Sequence, residues 1–228
     1  MKAYTGTSGW AYDWNLGKSL DWFVRNSGLS AVELNASFYR FPFRNQIASW
    51  AAKGTGLRWA VKVHRSVTHT HRFNEKAEEV WGRFRDAFAL LDPLIDFYLF
   101  QARPEFRDSE RLIAFAETAG LGDRFAFEIR SPDLLSDEEA CHELQKHVTL
   151  VSVDSPDFRD RIFPGTTIYL RMHGREGWYQ YDYSRKELEK TAGIIRRSGA
   201  ERVYVFFNND AMLENARAMK DIFSRMSR

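Results

Sequence analysis

The sequence contains a single cysteine, Cys141, and it has no long uninterrupted run of apolar residues. One thiol cannot form a disulfide framework within the chain, and it cannot build a cysteine-based metal or iron–sulfur centre. Without a run of about 18 apolar residues, no transmembrane helix is predicted. The N-terminal stretch "MKAYTGTSGW" also lacks the apolar segment of a signal peptide. We therefore expect a cytoplasmic protein with no membrane partner.

The chain also lacks a strong excess of charge of either sign. It has 33 Lys and Arg against 31 Asp and Glu, for a net charge of +2. This balance does not by itself indicate a polyanionic partner, so nucleic acid is an alternative that is not favoured. Hydrophobic residues make up 44% of the chain, which is enough for a substantial core and argues against disorder. No repeat, low-complexity tract or linker divides residues 1–228, and a single domain is predicted.

Short β-rich segments alternate with helix-period segments along the whole chain. The predicted strands are Ala3–Ser8, Ala31–Asn35, Arg58–His64, Asp96–Gln101, Phe125–Arg130, Thr149–Asp154, Thr167–His173 and Val203–Asn208. Eight such units in 228 residues predict an α/β protein, a single (β/α)8 barrel of the TIM type. An open, doubly wound sheet is the alternative, although "GTSGW" after the first strand lacks the dinucleotide-binding spacing.

Local signals set the helix boundaries in this barrel. Ser136 with Glu139, and Ser184 with Glu187, have the spacing of a capping box and predict two helix starts. The connection "SPDFRDRIFPG", between the sixth and seventh strands, is too short and too broken for a full helix. The sixth helix is therefore predicted to be reduced.

Several strands carry polar residues on one face, close to their C-terminal ends, while the opposite face is apolar. Because side chains alternate along a strand, the polar set is Glu33, Asn35, Lys62, Glu128, Arg130, Arg171, His173 and Asn208. Barrel enzymes keep their active sites at the C-terminal strand ends. These residues are therefore expected to form one pocket at the C-terminal mouth of the barrel.

A carboxylate at the buried position of Glu33 needs a partner, because an unpaired buried charge costs several kcal/mol. The expected partners are Lys62, Arg130 and Arg171. Three cations against Glu33 and Glu128 leave a positive surplus, to which Arg175 in the following loop would add, and this surplus predicts an anionic ligand. The alternative is a lattice of ion pairs with a purely structural role.

Residue chemistry then suggests roles within this pocket. Glu33, Glu128 and His173 are the candidate catalytic residues, since carboxylates and imidazole are common general acids and bases. The candidate substrate-binding residues are Asn35, Lys62, Arg130, Arg171, Asn208, Tyr39 and Trp10. The prediction is a hydrolase acting on a small phosphate- or carboxylate-bearing substrate, with no organic cofactor and no metal site. The segment "GREGWYQYDYS" is predicted to be a mobile lid.

Two other functions stay open from the residues alone. Glu128, Asp154, His173 and Asp210 could ligate a divalent metal, as in a phosphodiesterase, a nuclease or a sugar isomerase, although Arg130 and Arg171 would repel the ion. A pair at His69 and His71 is a weaker metal candidate. The rim aromatics and cations could instead serve a non-catalytic module that binds nucleotides or nucleic acid.

Six motifs follow one another in a recognisable order. They are "GTSGW", "VELNASFYRFP", "VKVHRSVTH", "FEIR", "YLRMHG" and "FFNND". In this order they resemble the YecE-like family, domain of unknown function 72. The resemblance spans nearly the whole chain and implies a TIM-type barrel, but it implies no settled reaction. The chain departs from the family pattern at "RSPDLL", which has neither the His nor the Trp that commonly follows the arginine of "FEIR". It also has "QARP" where the family usually has Gln-Leu-Pro-Pro.

Overall fold

The computed structural model describes residues 1–226 and contains eight β-strands. The strands are β1 (Lys2–Thr7), β2 (Ala31–Leu34), β3 (Arg58–Lys62), β4 (Ile95–Gln101), β5 (Phe125–Glu128), β6 (Thr149–Asp154), β7 (Thr167–Met172) and β8 (Arg202–Phe207). Neighbouring strands pair in parallel in the order β1 to β8, and β8 pairs with β1, which closes the barrel. The predicted fold class is thus confirmed.

Helices lie between most of the strands. They are α1 (Leu20–Asn26), α2 (Arg44–Lys53), α3 (Glu75–Ala87), α4 (Ser109–Ala119), α5 (Pro132–Ser136), α6 (Glu138–Gln145), α7 (Arg185–Arg197) and α8 (Met212–Met226). Within residues 1–226, no helix is both long enough and apolar enough to cross a lipid bilayer.

The connection between β6 and β7 carries no helix in residues 155–166, so the predicted reduction of the sixth helix is complete. The segment turns back on β6 instead, where Arg161 forms an isolated antiparallel bridge with Val153. Phe163 donates its backbone N–H to the Ser152 hydroxyl at 2.9 Å. Part of the backbone hydrogen bonding of this segment is therefore provided by β6, the strand that precedes it.

One of the two predicted capping boxes is confirmed. Ser184 accepts from the backbone of Glu187, and the Glu187 carboxylate accepts from the Ser184 backbone, which starts α7. The other prediction is wrong by one residue, because Asp137 rather than Ser136 accepts from the N–H of Ala140 and starts α6. Ser136 instead ends the short helix α5, which Ser131 caps.

The chain folds into two compact units. Unit 1 comprises Met1–Glu33, Lys53–Arg58 and the chain from Val151 onward, and in it α8 packs on α7, β1 and β8. Unit 2 comprises Leu34–Ala52 and Trp59–Leu150. The core of unit 2 is rich in aromatic rings, including a parallel stack of Phe100 on Phe125 with centroids 3.9 Å apart. The prediction of a single domain over residues 1–228 stays a prediction.

Candidate active site

The buried carboxylate of Glu33, at the end of β2, accepts four hydrogen bonds in unit 1. Its Oε1 accepts from Ser8 Oγ at 2.6 Å and from Arg171 Nη2 at 2.7 Å. Its Oε2 accepts from the Tyr169 hydroxyl at 2.6 Å and from Arg171 Nε at 2.9 Å. Burial alone would raise the pKa of Glu33, but the Arg171 charge and these hydrogen bonds outweigh it and hold that pKa below its usual range. Glu33 is therefore an ionised anchor.

Strand parity explains why Tyr169 and Arg171 meet Glu33 together. The two residues are two positions apart on β7 and therefore point to the same face, whereas Leu170 between them points to the other. Of the three predicted partners of Glu33, the structure confirms Arg171. The hydroxyls of Ser8 and Tyr169 were not predicted as partners. Pairing of Glu33 with Lys62 or Arg130 stays a prediction.

His173 follows β7 directly and its side chain is fully buried. Its Nε2 lies 3.4 Å from Arg171 Nη1, and its Nδ1 lies 3.3 Å from the Asn208 amide. A guanidinium can only donate, so Nε2 accepts from Arg171. The ring proton of a neutral imidazole then belongs on Nδ1, and it finds an acceptor only when the Asn208 amide turns its Oδ1 toward Nδ1 in place of Nδ2. His173 and Asn208, both predicted from parity, are thus brought together with Arg171.

The predicted lid folds over His173. The Trp178 ring lies 5.2 Å from the imidazole between centroids, and the Tyr179 ring lies 5.8 Å away. The Tyr179 N–H donates to the His173 carbonyl at 2.7 Å, and the Tyr179 carbonyl accepts from the Asp210 N–H at 2.8 Å. The segment thus covers one side of the buried imidazole, and its mobility stays a prediction.

A second buried network in unit 1 centres on Asp154, at the end of β6. The Arg175 side chain binds both carboxylate oxygens, with Nε at 2.9 Å and Nη2 at 3.0 Å. The Tyr183 hydroxyl donates to Asp154 at 2.7 Å and accepts from the Gly174 N–H at 2.8 Å. The expected contribution of Arg175 to a positive surplus is wrong, because Asp154 neutralises this guanidinium.

The other polar residues of the predicted site belong to unit 2. Glu128, at the end of β5, is fully buried, accepts from Gln101 Nε2 at 3.0 Å and forms an ion pair with Arg130. The Arg130 side chain keeps 17% of its surface exposed. Both predicted glutamates therefore have an arginine partner within their own unit, and the predicted surplus of positive charge stays a prediction.

Lys62 and Asn35 lie at the ends of two neighbouring strands. The Lys62 ammonium sits 4.3 Å above the ring of Phe38, a cation–π geometry. The Ser37 hydroxyl donates to the Lys62 carbonyl at 2.7 Å and fixes the turn after β2. Asn35 Oδ1 is buried without a hydrogen-bond partner within the described chain. A buried unsatisfied acceptor is costly, so a donor from a ligand would stabilise this position.

The two predicted aromatic contacts differ in exposure. Tyr39, in unit 2, is 68% exposed, and its ring meets that of Phe38 edge-on. Trp10, in unit 1, is buried, and its carbonyl accepts from Asn15 Nδ2 at 2.7 Å. Tyr39 is thus available to a ligand at the surface, whereas Trp10 is buried.

The candidate metal ligands do not gather into a metal-binding cluster. Within residues 1–226, no three His, Cys, Asp or Glu side chains are arranged to hold a metal ion. Asp154 uses both oxygens on Arg175. His69 Nδ1 lies 2.8 Å from the Thr68 hydroxyl. Asp154 and His69 thus have protein partners of their own.

Solved structures with the same fold come from several bacteria. A DUF72 family protein from Enterococcus faecalis V583 has a TM-score of 0.82 at 20% identity, covering 97% of this chain and 95% of that one. A DUF72 family protein from Thermotoga maritima MSB8 has a TM-score of 0.79 at 25% identity, covering 98% and 100%. The 3-keto-D-glucoside 4-epimerase of E. coli has a TM-score of 0.57 at 14% identity, covering 100% and 99%, which shows the shared fold alone.

No curated protein matches the chain. A family model described as "Protein of unknown function DUF72" matches residues 4–227, which is nearly the whole chain. The six ordered motifs and this match agree, and the protein belongs to the DUF72 family.

Proposed function

We propose that the protein is an enzyme, a hydrolase that acts on a small phosphate- or carboxylate-bearing substrate at the C-terminal strand ends. The observation that carries the proposal is the placement of His173, directly after β7, with one ring nitrogen on Arg171 and the other on the Asn208 amide. An imidazole with a polar neighbour at each ring nitrogen is held in one orientation, as a proton-transfer group requires.

The residues around His173 have distinct roles in this proposal. His173 moves a proton between the substrate and water. Arg171 positions His173, because its Nη1 faces the imidazole while its other nitrogens bind Glu33. Glu33 positions Arg171 and is not itself a proton carrier, since its four hydrogen bonds and a lowered pKa keep it ionised.

The candidate anion-binding side chains Arg130, Lys62 and Asn35 all belong to unit 2. Arg130 is only partly exposed, and its charge is shared with Glu128, so a bound anion would compete with that carboxylate. Lys62 is the second cation that would bind the substrate. Asn35 Oδ1 would accept a hydrogen bond from a substrate hydroxyl or amide, which would satisfy a buried acceptor.

Activity screening of His173 variants tests the proposal. The wild-type protein would be assayed against phosphate monoesters, phosphate diesters, carboxylate-bearing esters and N-acyl amino acids. His173→Gln should lower kcat/KM by about 10²- to 10⁴-fold on the substrate that responds, the usual contribution of general acid–base catalysis. His142→Gln, an exposed histidine on α6, is the matched control and should keep wild-type activity.

Two results would contradict the proposal. One is a wild-type protein that hydrolyses none of these substrate classes. The other is a His173→Gln variant that keeps wild-type kcat/KM while its melting temperature is unchanged. Repeating the assay after EDTA treatment tests the expectation that no metal is needed, since activity should then be unaffected.

A further inference from the structure

Unit 2 contains a cavity of about 190 Å³ whose wall is dominated by arginine. Arg72, Arg103, Arg107 and Arg111 line it together with Thr68. None of these residues belongs to the proposed catalytic or substrate-binding set.

The wall at Arg72 is formed by strained backbone. Arg72 has φ +48° and Phe73 has φ +63°, so two consecutive residues other than glycine adopt the left-handed conformation. This conformation costs energy for residues with a Cβ, and it persists only where the surroundings enforce it. The buried ring of Phe73 supplies that restraint, since it packs at 5.1 Å on Phe106 and at 5.3 Å on Phe115 between centroids.

A π-helical turn precedes this strained pair. It spans Ser66–Thr70 and brings the buried Thr68 to the cavity. Turns of this kind are rare and occur often at functional sites. The backbone of residues 66–73 therefore departs from ordinary helix geometry over the stretch that forms one side of the cavity.

Carboxylates balance only part of the positive charge on the wall. Four guanidinium groups line the cavity, and the acidic side chains lining it are Glu105 and Asp108. Glu105 binds Arg103 at 3.2 Å, and Asp108 binds Arg111 at 2.9 Å. Neither of the two lining carboxylates forms an ion pair with Arg72 or Arg107 in these contacts.

Arg107 and Arg72 differ in their partners. Arg107 reaches outward to Asp133 at 2.8 Å and donates to the Pro104 carbonyl at 2.5 Å. For Arg72, residues 1–226 provide no ion pair or hydrogen bond through its side chain. A cationic side chain without a partner in this part of the chain thus stands at the cavity, on backbone held in a costly conformation.

The pKa of His69, which is next to Thr68, is affected by the positive charges on this side of unit 2. Burial lowers the pKa of His69 first, and Lys62 and Arg103 lower it further, to about 4. An anion at the arginines would reduce this repulsion.

We propose that this cavity binds the phosphate group of a small phosphorylated molecule. Guanidinium groups match phosphate oxygens in pairs, and the anion would give Arg72 the ion-pair partner that it lacks within residues 1–226. The Thr68 hydroxyl lies 2.8 Å from His69 Nδ1 and would donate to the phosphate when His69 donates to it. The binding site goes beyond the proposed function, because it shares no residue with the catalytic set.

Calorimetric titration with inorganic phosphate at low ionic strength tests the proposal. Wild-type protein should bind one phosphate saturably, and Arg72→Ala and Arg111→Ala should each weaken binding at least tenfold. Arg83→Ala removes an exposed arginine of α3 that does not line the cavity, and it should bind as the wild type does. Arg72→Gly removes the same guanidinium while accommodating the positive φ, so its loss of binding cannot be blamed on misfolding.

Three outcomes would overturn the proposal. The first is no saturable phosphate binding up to about 10 mM, weaker than any specific site would show. The second is binding that survives Arg72→Gly but is lost in Arg130→Ala, which would assign the phosphate to the proposed catalytic site instead. The third is a short oligonucleotide that binds far more tightly than phosphate, with a steep salt dependence, since the ligand would then be a nucleic acid backbone. Loss of hydrolase activity in His173→Gln with unchanged phosphate binding would leave both proposals standing.

Discussion

Arg171 holds Glu33 with two of its three guanidinium nitrogens, Nε at 2.9 Å and Nη2 at 2.7 Å from the two carboxylate oxygens. The third nitrogen, Nη1, faces His173 at 3.4 Å. Neither Glu33 nor Arg171 has appreciable exposed side-chain surface. The arginine therefore connects a carboxylate to an imidazole inside unit 1, and its charge keeps Glu33 ionised.

Removing the charge of Glu33 should destabilise the protein strongly. Glu33→Gln leaves the buried Arg171 cation without its counter-charge, and breaking a buried ion pair in this way costs about 3 to 5 kcal/mol. The free energy of unfolding in urea measures the loss. Glu189→Gln breaks the exposed ion pair with Arg185 on α7 and should change stability by less than about 1 kcal/mol. If both variants lost the same free energy of unfolding, the buried ion pair would contribute no more to stability than the exposed one.

Acid should remove the contribution of Glu33. Its pKa in the folded protein lies below the unfolded value, because Arg171 and the hydroxyls of Ser8 and Tyr169 outweigh the effect of burial. The stabilisation is then fully present above the unfolded pKa of about 4.3, and it is lost as the pH falls through the lower, folded pKa. The difference in unfolding free energy between wild type and Glu33→Gln should be constant at neutral pH and shrink in acid. A difference that grows in acid would contradict this prediction.

His69 should give a separate pH dependence at higher pH. Its pKa is lowered from 6.5 to about 4, first by burial and then by Lys62 and Arg103. The unfolded chain therefore binds more protons between these values, so stability should fall as the pH drops from 6.5 toward 4. The ring is half-buried, and with solvent screening the effect should be about 1 to 2 kcal/mol. His69→Asn should flatten the stability curve in this range, and an unchanged slope in this variant would contradict the prediction.

The barrel could be predicted from the sequence because its strands are short, apolar and separated by clear helical periods. The predicted and observed strands overlap in all eight cases, and β6 matches end to end at Thr149–Asp154. Helix starts were harder, since neighbouring signals compete. Ser136 had the correct spacing for a cap, but Ser131 and Pro132 open a separate short helix that already includes it.

The candidate site was only partly predictable, because strand parity shows which face a side chain occupies but not which partner it meets. Parity placed Arg171, His173 and Asn208 correctly together. The hydroxyls of Ser8 and Tyr169 were not predicted to bind Glu33, because an uncharged hydroxyl group does not stand out in the sequence as a partner for a carboxylate. The pairing of Arg175 with Asp154 was missed for another reason, because it links a loop to the end of a strand that lies 21 residues earlier.

The Tyr183 hydroxyl should contribute more to the free energy of unfolding than an exposed tyrosine hydroxyl does. It donates to Asp154 at 2.7 Å and accepts from the Gly174 N–H at 2.8 Å, and both bonds are buried. Tyr183→Phe leaves the Gly174 N–H without an acceptor, so the loss should be about 1 to 3 kcal/mol. Chemical denaturation measures it. Tyr181→Phe is the matched control, because its hydroxyl on Glu187 is only partly buried and its loss should cost less. Equal losses would contradict the role given to Tyr183.

Gly174 should tolerate no side chain, because two separate constraints act on it. Its φ is +102°, which residues with a Cβ rarely adopt, and a Cβ there would lie 2.7 Å from the Tyr181 Cβ and 2.8 Å from the Gly177 carbonyl oxygen. Gly174→Ala should therefore cost about 1 to 3 kcal/mol and loosen the segment over His173. The free energy of unfolding gives the cost, and amide hydrogen exchange of residues 174–183 reports the loosening.

The control for Gly174 is a glycine with neither constraint. Gly82 lies in the middle of α3, and a Cβ added there would meet no neighbouring atom within 4 Å. Gly82→Ala should therefore stabilise the protein by about 0.5 to 1 kcal/mol through helix propensity. The two substitutions should change the free energy of unfolding in opposite directions, because only Gly174 combines a positive φ with atoms close to an added Cβ. If Gly174→Ala were neutral, with unchanged exchange in residues 174–183, then the segment over His173 would not depend on this glycine for its conformation.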